Sequence, residues 1–217
     1  ASNVVFVTYS SSNHFQESRK GIRSLRSVFN NKIIFYDLGL QKDQIRELSN
    51  VYNLEVRKFE FEKYPSFVTN LMGYNFKPII MAEVFSQFKN YWVIDTSVRF
   101  FNINQHLNRF YAKVGILNIS LFILKKTSLK RINLISRMLD YLPIDTPLAM
   151  DTTMREANRM FLSRSELTRE AVTWNALCAL TKDCMAAPGT EVRCVFHDER
   201  YRTHANCHRY DQSAIKL

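Results

Sequence analysis

The sequence has 217 residues, of which 46% are hydrophobic and only five are glycine, so it is neither disordered nor of low complexity and suits one globular domain. Its formal charge of +10 is spread over both halves of the chain, which favours anionic ligands in general. The densest basic stretch, residues 125–131, carries no nucleic-acid recognition motif, and the longest apolar run, residues 114–124, is too short to cross a bilayer. We therefore expect no specific nucleic-acid partner, and a membrane only through an anchor outside this sequence.

Strand and helix patterns alternate through the first 100 residues. Apolar runs rich in β-branched and aromatic side chains predict three strands, at residues 4–8, 32–38 and 55–61. Asn13, three residues before Gln16, predicts the cap of a helix after the first strand. Pro78 stands at the favoured first position of a helix that is predicted to continue to Phe88. These elements predict a nucleotide-binding half over residues 1–100.

A fourth strand pattern, Tyr-Trp-Val-Ile at residues 91–94, ends abruptly in Asp95, Thr96 and Ser97. Four strands separated by helices predict a Rossmann-like, mainly parallel sheet flanked by helices. Such a sheet binds ligands at the C-terminal ends of its strands, where the Asp95 carboxylate can hold a divalent cation and a ribose or diphosphate. The alternative is that Asp95 only caps the next turn. No G-x-G-x-x-G or P-loop motif occurs, which disfavours a dinucleotide dehydrogenase or a P-loop enzyme.

Residues 101–217 predict a more helical half that covers the sheet and shapes the acceptor side. Its predicted helices are residues 127–141, 151–162 and 165–181. This half ends in a cysteine-rich tail, because all four cysteines lie in the last 40 residues.

The clustered cysteines are Cys178, Cys184, Cys194 and Cys207. An even number in one loop-rich segment predicts two disulfides in an oxidising compartment, with three possible pairings. A structural zinc site that uses nearby histidines is the weaker alternative, because no C-x-x-C pair occurs. Free buried thiols in a cytosolic protein are the remaining alternative.

Five segments in order carry a resemblance to a known family. They are Thr8–Phe15 (TYSSSNHF), Phe35–Leu40 (FYDLGL), Tyr74–Pro78 (YNFKP), Ile94–Phe100 (IDTSVRF) and Cys207–Ile215 (CHRYDQSAI). Together, over about residues 4–217, they resemble an invertebrate-rich animal family of uncharacterised, glycosyltransferase-like proteins, a domain-of-unknown-function family. Its members are similar in layout to GT-A glycosyltransferases, in which a strand-end D-x-D motif binds a metal and a sugar nucleotide. Here Asp95-Thr96-Ser97 stands at that place, so the second carboxylate is absent, and Phe76 stands where tryptophan is expected.

The resemblance implies a GT-A-like single domain over residues 1–217 that transfers a sugar from a nucleoside-diphosphate sugar to a glycan or glycoprotein acceptor. It implies Mn²⁺ or another divalent cation, held by Asp95 and His208, and a catalytic role for Asp95 and Asp211. Donor-binding side chains are expected from two loops and from nearby basic residues: Thr8, Ser10, Ser11, Asp37, Lys77, Ser97 and Arg99. The expected location is the lumen of the Golgi or ER. A lumenal domain of a type II membrane protein is one form that fits this location.

Each of these roles has a structural alternative. Asp37 with Leu38 and Gly39 has the pattern of a turn that ends a strand, and Ser97 can cap a turn. Lys77 and Arg99 can be surface charges beside the strand. Asp211 can be the N-cap of a helix at the end of the chain.

Two other function classes stay open. The missing second acid of D-x-D favours a catalytically inactive GT-A-like domain that binds glycans or proteins. The charge of +10 favours a polyanion-binding module, whose affinity falls steeply with salt.

Overall fold

The computed structural model describes residues 4–100, 121–123, 131–132, 138, 140–142, 157–190, 204–205 and 210–211. The strands are β1 (Val4–Ser10), β2 (Ile33–Asp37), β3 (Leu54–Lys58), β4 (Asn90–Ile94), β5 (Leu121–Ile123), β6 (Arg131–Ile132), β7 (Arg159–Ser163) and β8 (His204–Ala205). The α-helices are α1 (Phe15–Arg26), α2 (Lys42–Ser49), α3 (Phe76–Gln87) and α4 (Glu166–Leu180). Single 3-10 turns occupy Ser12–His14, Phe61–Lys63, Ser66–Thr69 and Leu71–Gly73.

The main sheet has six strands in the order β3-β2-β1-β4-β7-β5, and β6 and β8 form a separate parallel pair. Strands β3, β2, β1 and β4 are parallel to one another, whereas β7 is antiparallel to β4. In register, Val7 of β1 lies opposite Ile34 of β2 and Val93 of β4. The prediction of a mainly parallel α/β sheet is confirmed for the first four strands.

Strand β1 is buried along its whole length, and its side chains alternate between the two faces of the sheet. Val4 and Phe6 share one apolar cluster with Phe15, Ile22 and Leu25 of α1, which therefore packs on this face. The cluster also contains Leu48 of α2 and Phe35 of β2. The face of β1 formed by Val5, Val7 and Tyr9 is buried as well. Burial on both faces explains why these strands have continuous apolar runs instead of an alternating pattern.

The chain divides into two compact units. The first contains Ala1–Phe59, Gln87–Phe122 and Asn158–Thr168, and therefore β1 to β4, β7, α1 and α2. The second contains Glu60–Ser86, Ile123–Ala157 and Arg169–Leu217. None of the helices in the described ranges is long and apolar enough to span a bilayer.

Two of the helices predicted in the second half are wrong where the structure describes them. Residues 159–163 form strand β7, although residues 151–162 were expected to be helical. The reason is that Met160, Phe161 and Leu162 are consecutive buried apolar residues, and a short run of this kind has no period that distinguishes a strand from a helix. Likewise, Arg131–Ile132 forms β6 inside the helix predicted over residues 127–141. The helix predicted over residues 165–181 is confirmed as α4.

Two predicted helix starts are also displaced. Helix α3 begins at Phe76, so Pro78 is its third residue, where a missing backbone N–H still breaks no bond within the helix. Helix α1 begins at Phe15 after a 3-10 turn, and His14, not Asn13, precedes it.

We predict that Phe35→Ala lowers the free energy of unfolding by about 3–5 kcal/mol, because Phe35 is fully buried in the apolar cluster and its removal leaves a cavity. Urea unfolding followed by circular dichroism measures this change. Tyr52→Ala is the control, because Tyr52 is 73% exposed and its loss is expected to change stability by no more than about 0.5 kcal/mol. Equal losses in the two variants would contradict the described core.

Candidate functional site

Asp95 directly follows the last residue of β4, as the sequence predicted. The register that aligns Val7 with Val93 brings Tyr9 of β1 beside Asp95 on the same face of the sheet. The buried Tyr9 phenol donates a hydrogen bond to Oδ1 of Asp95. The Asp95 backbone N–H donates to the Asn158 carbonyl at 2.8 Å. Asp95 is therefore held by Tyr9 of β1 and by Asn158, which directly precedes β7, while the residue stays partly exposed.

The position of Asp95 is a topological switch point of the sheet. Strand β1 connects through α1 to β2 on one side, whereas its other neighbour is β4, which comes later in the chain. At such a point the loops after the two adjacent strands diverge and leave a crevice at their C-terminal ends, which is where open α/β sheets bind ligands. We therefore expect a ligand-binding crevice between the loop that follows β1 and the Asp95 loop.

Tyr91 lies on the same face of β4 as Asp95 and is completely buried. Burial raises the pKa of its phenol, because the phenolate would lose its hydration. Tyr91 is therefore neutral at physiological pH and adds no negative charge behind Asp95.

The residues predicted to contact a nucleotide from β1 are held by local contacts. Thr8 and Ser10 belong to β1 and are 4% and 3% exposed. The Ser10 hydroxyl donates to the Ser11 carbonyl at 2.8 Å, and the Ser11 hydroxyl donates to Oδ1 of Asn13 at 2.5 Å. Of the three predicted residues, Ser11 is the most accessible, and the nucleotide-binding role of all three stays a prediction.

Asp37, at the end of β2, forms the strand-terminating turn that its sequence context allowed. Its Oδ1 accepts backbone hydrogen bonds from Gly39 at 2.8 Å and Leu40 at 2.6 Å. Gly39 has a φ of 117°, which an L side chain rarely adopts, so glycine is required in this turn. One carboxylate oxygen of Asp37 thus has a structural partner, and its role in binding a base or ribose stays a prediction.

The two other predicted donor-binding residues in the Asp95 loop differ in exposure. Ser97 lies at an exposed turn position two residues after Asp95. Arg99 is partly buried, and its guanidinium donates to the backbone carbonyls of Thr96, Val98 and Glu17. Arg99 therefore contacts its own loop and α1, and its proposed contact with a diphosphate is untested.

Lys77 and Asp211, both within the second unit, meet in a buried ion pair. Lys77 Nζ lies 2.7 Å from Oδ2 of Asp211, and the residues are 3% and 6% exposed. The alternative that Lys77 is a surface charge is therefore wrong. The ammonium also lies 5.0 Å from the centre of the Tyr74 ring. Tyr74 and Tyr210 both have left-handed backbone conformations, with φ of 56° and 38°, which cost energy for bulky residues and persist where surrounding contacts enforce them.

Asn75, two residues before Lys77, makes a second buried polar contact. Asn75 is buried, and its side-chain amide donates to the Ala179 carbonyl at 2.9 Å. Ala179 lies between Cys178 and Cys184, which form a disulfide bond, one of the linkages that the sequence left open. Cys194, Cys207 and His208 lie outside the described residues. The expected convergence of Asp95 and His208 on one site is accordingly untested.

Sequence reasoning missed Tyr9, Glu17 and Asn75 as polar partners. The signal for Tyr9 was present, because parallel strands that end together bring equivalent residues side by side. Asn75 and Glu17 carried no such signal, since neither lies on a strand whose register would align it with its partner. Within the described ranges, no three His, Cys, Asp or Glu side chains form a group that could hold a metal ion.

Comparison with known proteins supports the fold. A search of curated proteins found no match to this sequence. A family profile described as "Protein of unknown function (DUF1647)" matches residues 1–82. The chain is similar to core-mannan synthase A (CmsA/Ktr4) from Aspergillus fumigatus in its Mn/GDP form, with 11% identity and a TM-score of 0.51 over 82% of this chain and 65% of that one. It is also similar to an active-site mutant of the galactosyltransferase LgtC, with 10% identity and a TM-score of 0.50 over 94% of this chain and 83% of that one.

These similarities establish a mixed α/β, glycosyltransferase-like fold with a central sheet and helices. At about 10% identity they say nothing about activity. The chain spans about two thirds of the mannan synthase, so the activity of that larger protein does not transfer to this chain by similarity alone.

We predict that Lys77→Met destabilises the protein by roughly 3–5 kcal/mol, because it leaves the buried Asp211 carboxylate without its cation. The double variant Lys77→Met/Asp211→Leu is expected to recover most of this loss, since it removes both charges. Chemical unfolding of the single and double variants measures the coupling.

Lys32→Met is the matched control for this ion pair. Lys32 pairs with Glu55 at 2.5 Å, but both side chains are about 40% exposed, so its loss is expected to cost no more than about 1 kcal/mol. A Lys77→Met variant as stable as Lys32→Met would show that the Lys77–Asp211 pair is not buried in solution.

Proposed function

We propose that this chain is a GT-A-like glycosyltransferase domain that binds a nucleoside-diphosphate sugar at the C-terminal ends of β1 and β4. The observation that carries the proposal is the placement of the partly exposed Asp95 carboxylate at the switch point of a parallel sheet, in a fold similar to two sugar transferases. This position is where such sheets bind nucleotides.

Sugar transfer requires that the negative charge on the departing diphosphate be neutralised. A bound divalent cation would supply this charge, and Asp95 would be the residue that holds it. Among the described residues, Asp95 is the candidate carboxylate ligand, and no three His, Cys, Asp or Glu side chains form a preformed metal-binding group. Small hard cations are commonly bound in this way, through one or two carboxylates together with phosphate oxygens and water. The residues therefore fit Mn²⁺ or a similar cation that arrives with the nucleotide, with His208 as a further proposed ligand.

Within this proposal, the described residues have distinct tasks. Tyr9 holds one oxygen of Asp95 by a hydrogen bond and so fixes the position of the carboxylate. The exposed Ser97 hydroxyl supplies a contact for a phosphate oxygen or for water. Ser10, at the end of β1, and Ser11, which follows it, supply hydroxyl and backbone groups for the base or ribose, together with Thr8 and Asp37.

We propose for Asp211 the role that the sequence resemblance implies, contact with the transferred sugar or the acceptor, with Lys77 as its ion-pair partner. A diphosphate would have to compete with Asp211 for the Lys77 ammonium at 2.7 Å. Of the two roles for Lys77, the pair therefore favours orienting Asp211, and it disfavours binding a phosphate. Burial of the pair holds the carboxylate in one position, as transfer chemistry requires.

We further propose that the acceptor is a glycan or glycoprotein. We also propose that the chain is located in the lumen of the Golgi or ER, where a lumenal domain of a type II membrane protein would lie. The Cys178–Cys184 disulfide supports this location, because structural disulfides persist in oxidising compartments and are rare in the cytosol.

A catalytically inactive domain is the second candidate, favoured by the single carboxylate of Asp95-Thr96-Ser97. Binding of a sugar nucleotide without transfer or hydrolysis would support it. Binding of sulfated polysaccharide that needs no metal and disappears at high salt would instead support a polyanion-binding module.

We predict that UDP- or GDP-sugars raise the apparent melting temperature only when manganese is present, because a ligand that binds the folded state alone stabilises it. Asp95→Asn keeps the shape of the side chain but removes its charge, and is expected to abolish the manganese-dependent shift. Thermal-shift assays with a panel of UDP- and GDP-sugars, with and without manganese, measure both effects.

Asp43→Asn is the control, because Asp43 is exposed on α2 and the substitution changes the net charge equally. It is expected to keep the full shift. An unchanged melting-temperature shift in Asp95→Asn would show that Asp95 does not bind the metal–nucleotide complex. Absence of a shift in the wild type with every nucleotide tested would contradict the proposed function.

A further inference from the structure

The loop that carries Asp95 is attached to α1 through polar contacts. The Thr96 hydroxyl donates to Oε2 of Glu17 at 2.8 Å, and the Phe100 backbone N–H donates to the Ser24 hydroxyl at 3.2 Å. Val98, between them, is buried in the apolar cluster that includes α1. The loop is thus fixed on α1 by an apolar anchor with a hydrogen bond on either side.

Arg99 adds contacts that hold the loop backbone itself. Its Nη1 donates to the carbonyls of Thr96 at 2.5 Å and Val98 at 2.9 Å, and its Nη2 donates to the Glu17 carbonyl at 3.1 Å. The planar guanidinium presents several donors in a fixed geometry, whereas a lysine ammonium is a single point of attachment. Arg99 therefore ties two carbonyls of the Asp95 loop to one carbonyl of α1.

Helix α1 has a glycine where the loop comes closest. Glu17, Gly21 and Ser24 are spaced four and three residues apart and so share one face of the helix. A Cβ atom on Gly21 would lie 3.1 Å from the Thr96 carbonyl oxygen and 3.3 Å from Nη1 of Arg99. Glycine lowers helix propensity, so its presence inside α1 is explained by this close approach.

The same loop begins at Asp95, whose carbonyl accepts a hydrogen bond from the Val98 backbone N–H at 3.1 Å. The turn is consequently held from the strand side by the contacts of Asp95 and from the helix side by Arg99. We propose that Arg99 is a positioning residue that, with Gly21, sets the place of Asp95 and Ser97 for the metal–nucleotide complex. Arg99 acts through the loop backbone. Its expected effect on the binding of the metal–nucleotide complex rests on the proposed function.

Arg99→Lys tests the proposal, with Arg26→Lys as a matched control. Arg26, at the other end of α1, also donates to three backbone carbonyls, those of Phe29, Asn31 and Asn53, but has no contact with the Asp95 loop in its described hydrogen bonds. Both substitutions keep the charge and remove a fork of carbonyl contacts. A general loss of stability is therefore expected in both variants.

The first readout is hydrogen exchange at the backbone amides of Val98 and Phe100, which needs no ligand. We expect faster exchange in Arg99→Lys and unchanged exchange in Arg26→Lys. The second readout is the manganese-dependent affinity for GDP and UDP, which is expected to fall roughly 10–100-fold in Arg99→Lys alone, as for other residues that orient metal ligands. Equal effects of the two substitutions, in either readout, would overturn the positioning role.

Gly21→Ala is an independent test, because an effect on helix α1 alone and an effect on the Asp95 loop predict opposite results. Alanine favours helix formation, so an effect on α1 alone would stabilise the protein. The proposal instead expects faster exchange at Val98 and Phe100 and weaker manganese-dependent binding, because the added methyl group displaces the Thr96 carbonyl. If the wild type binds neither nucleotide, the proposed function fails, and so does the expected effect of Arg99 and Gly21 on nucleotide affinity. The hydrogen-exchange data then decide by themselves whether Arg99 and Gly21 hold the loop.

Discussion

The structure depends on the parallel pairing of β1 with β2 on one side and β4 on the other. Because parallel neighbours run in the same direction, all three strands end at one edge of the sheet. The register places Ser10 opposite Asp37 and extends from Val7 and Val93 to Tyr9 and Asp95. Polar residues that are far apart in sequence therefore meet at this edge.

Helix α1 connects this edge to the body of the first unit in two ways. Its apolar face packs on the sheet, where burial supplies stability that does not depend on exact geometry. Its polar face contacts the loop after β4, where hydrogen bonds require particular distances and directions between the bonded atoms. Apolar packing thus stabilises the unit, whereas the polar contacts determine the arrangement of the candidate site.

The buried charges illustrate a different constraint. A lysine and an aspartate are expensive to remove from water unless they meet with good geometry. Lys77 and Asp211 are 134 residues apart and still form a buried pair, so the fold must bring these segments together accurately. The nearby disulfide and the Asn75 contact to Ala179 act on the same second unit and limit its freedom further.

The sequence by itself determined the α/β class, the first four strands, helix α4 and the position of Asp95, because continuous apolar runs and helical spacing are local patterns that burial imposes directly. It did not determine that residues 159–163 form a strand, because a short apolar run suits either structure until a partner strand binds it. Only the tertiary structure decided the partners of Asp95, Arg99 and Lys77. Side-chain pairing across distant segments depends on register and on close approach, as at Gly21, and neither is encoded in a local pattern.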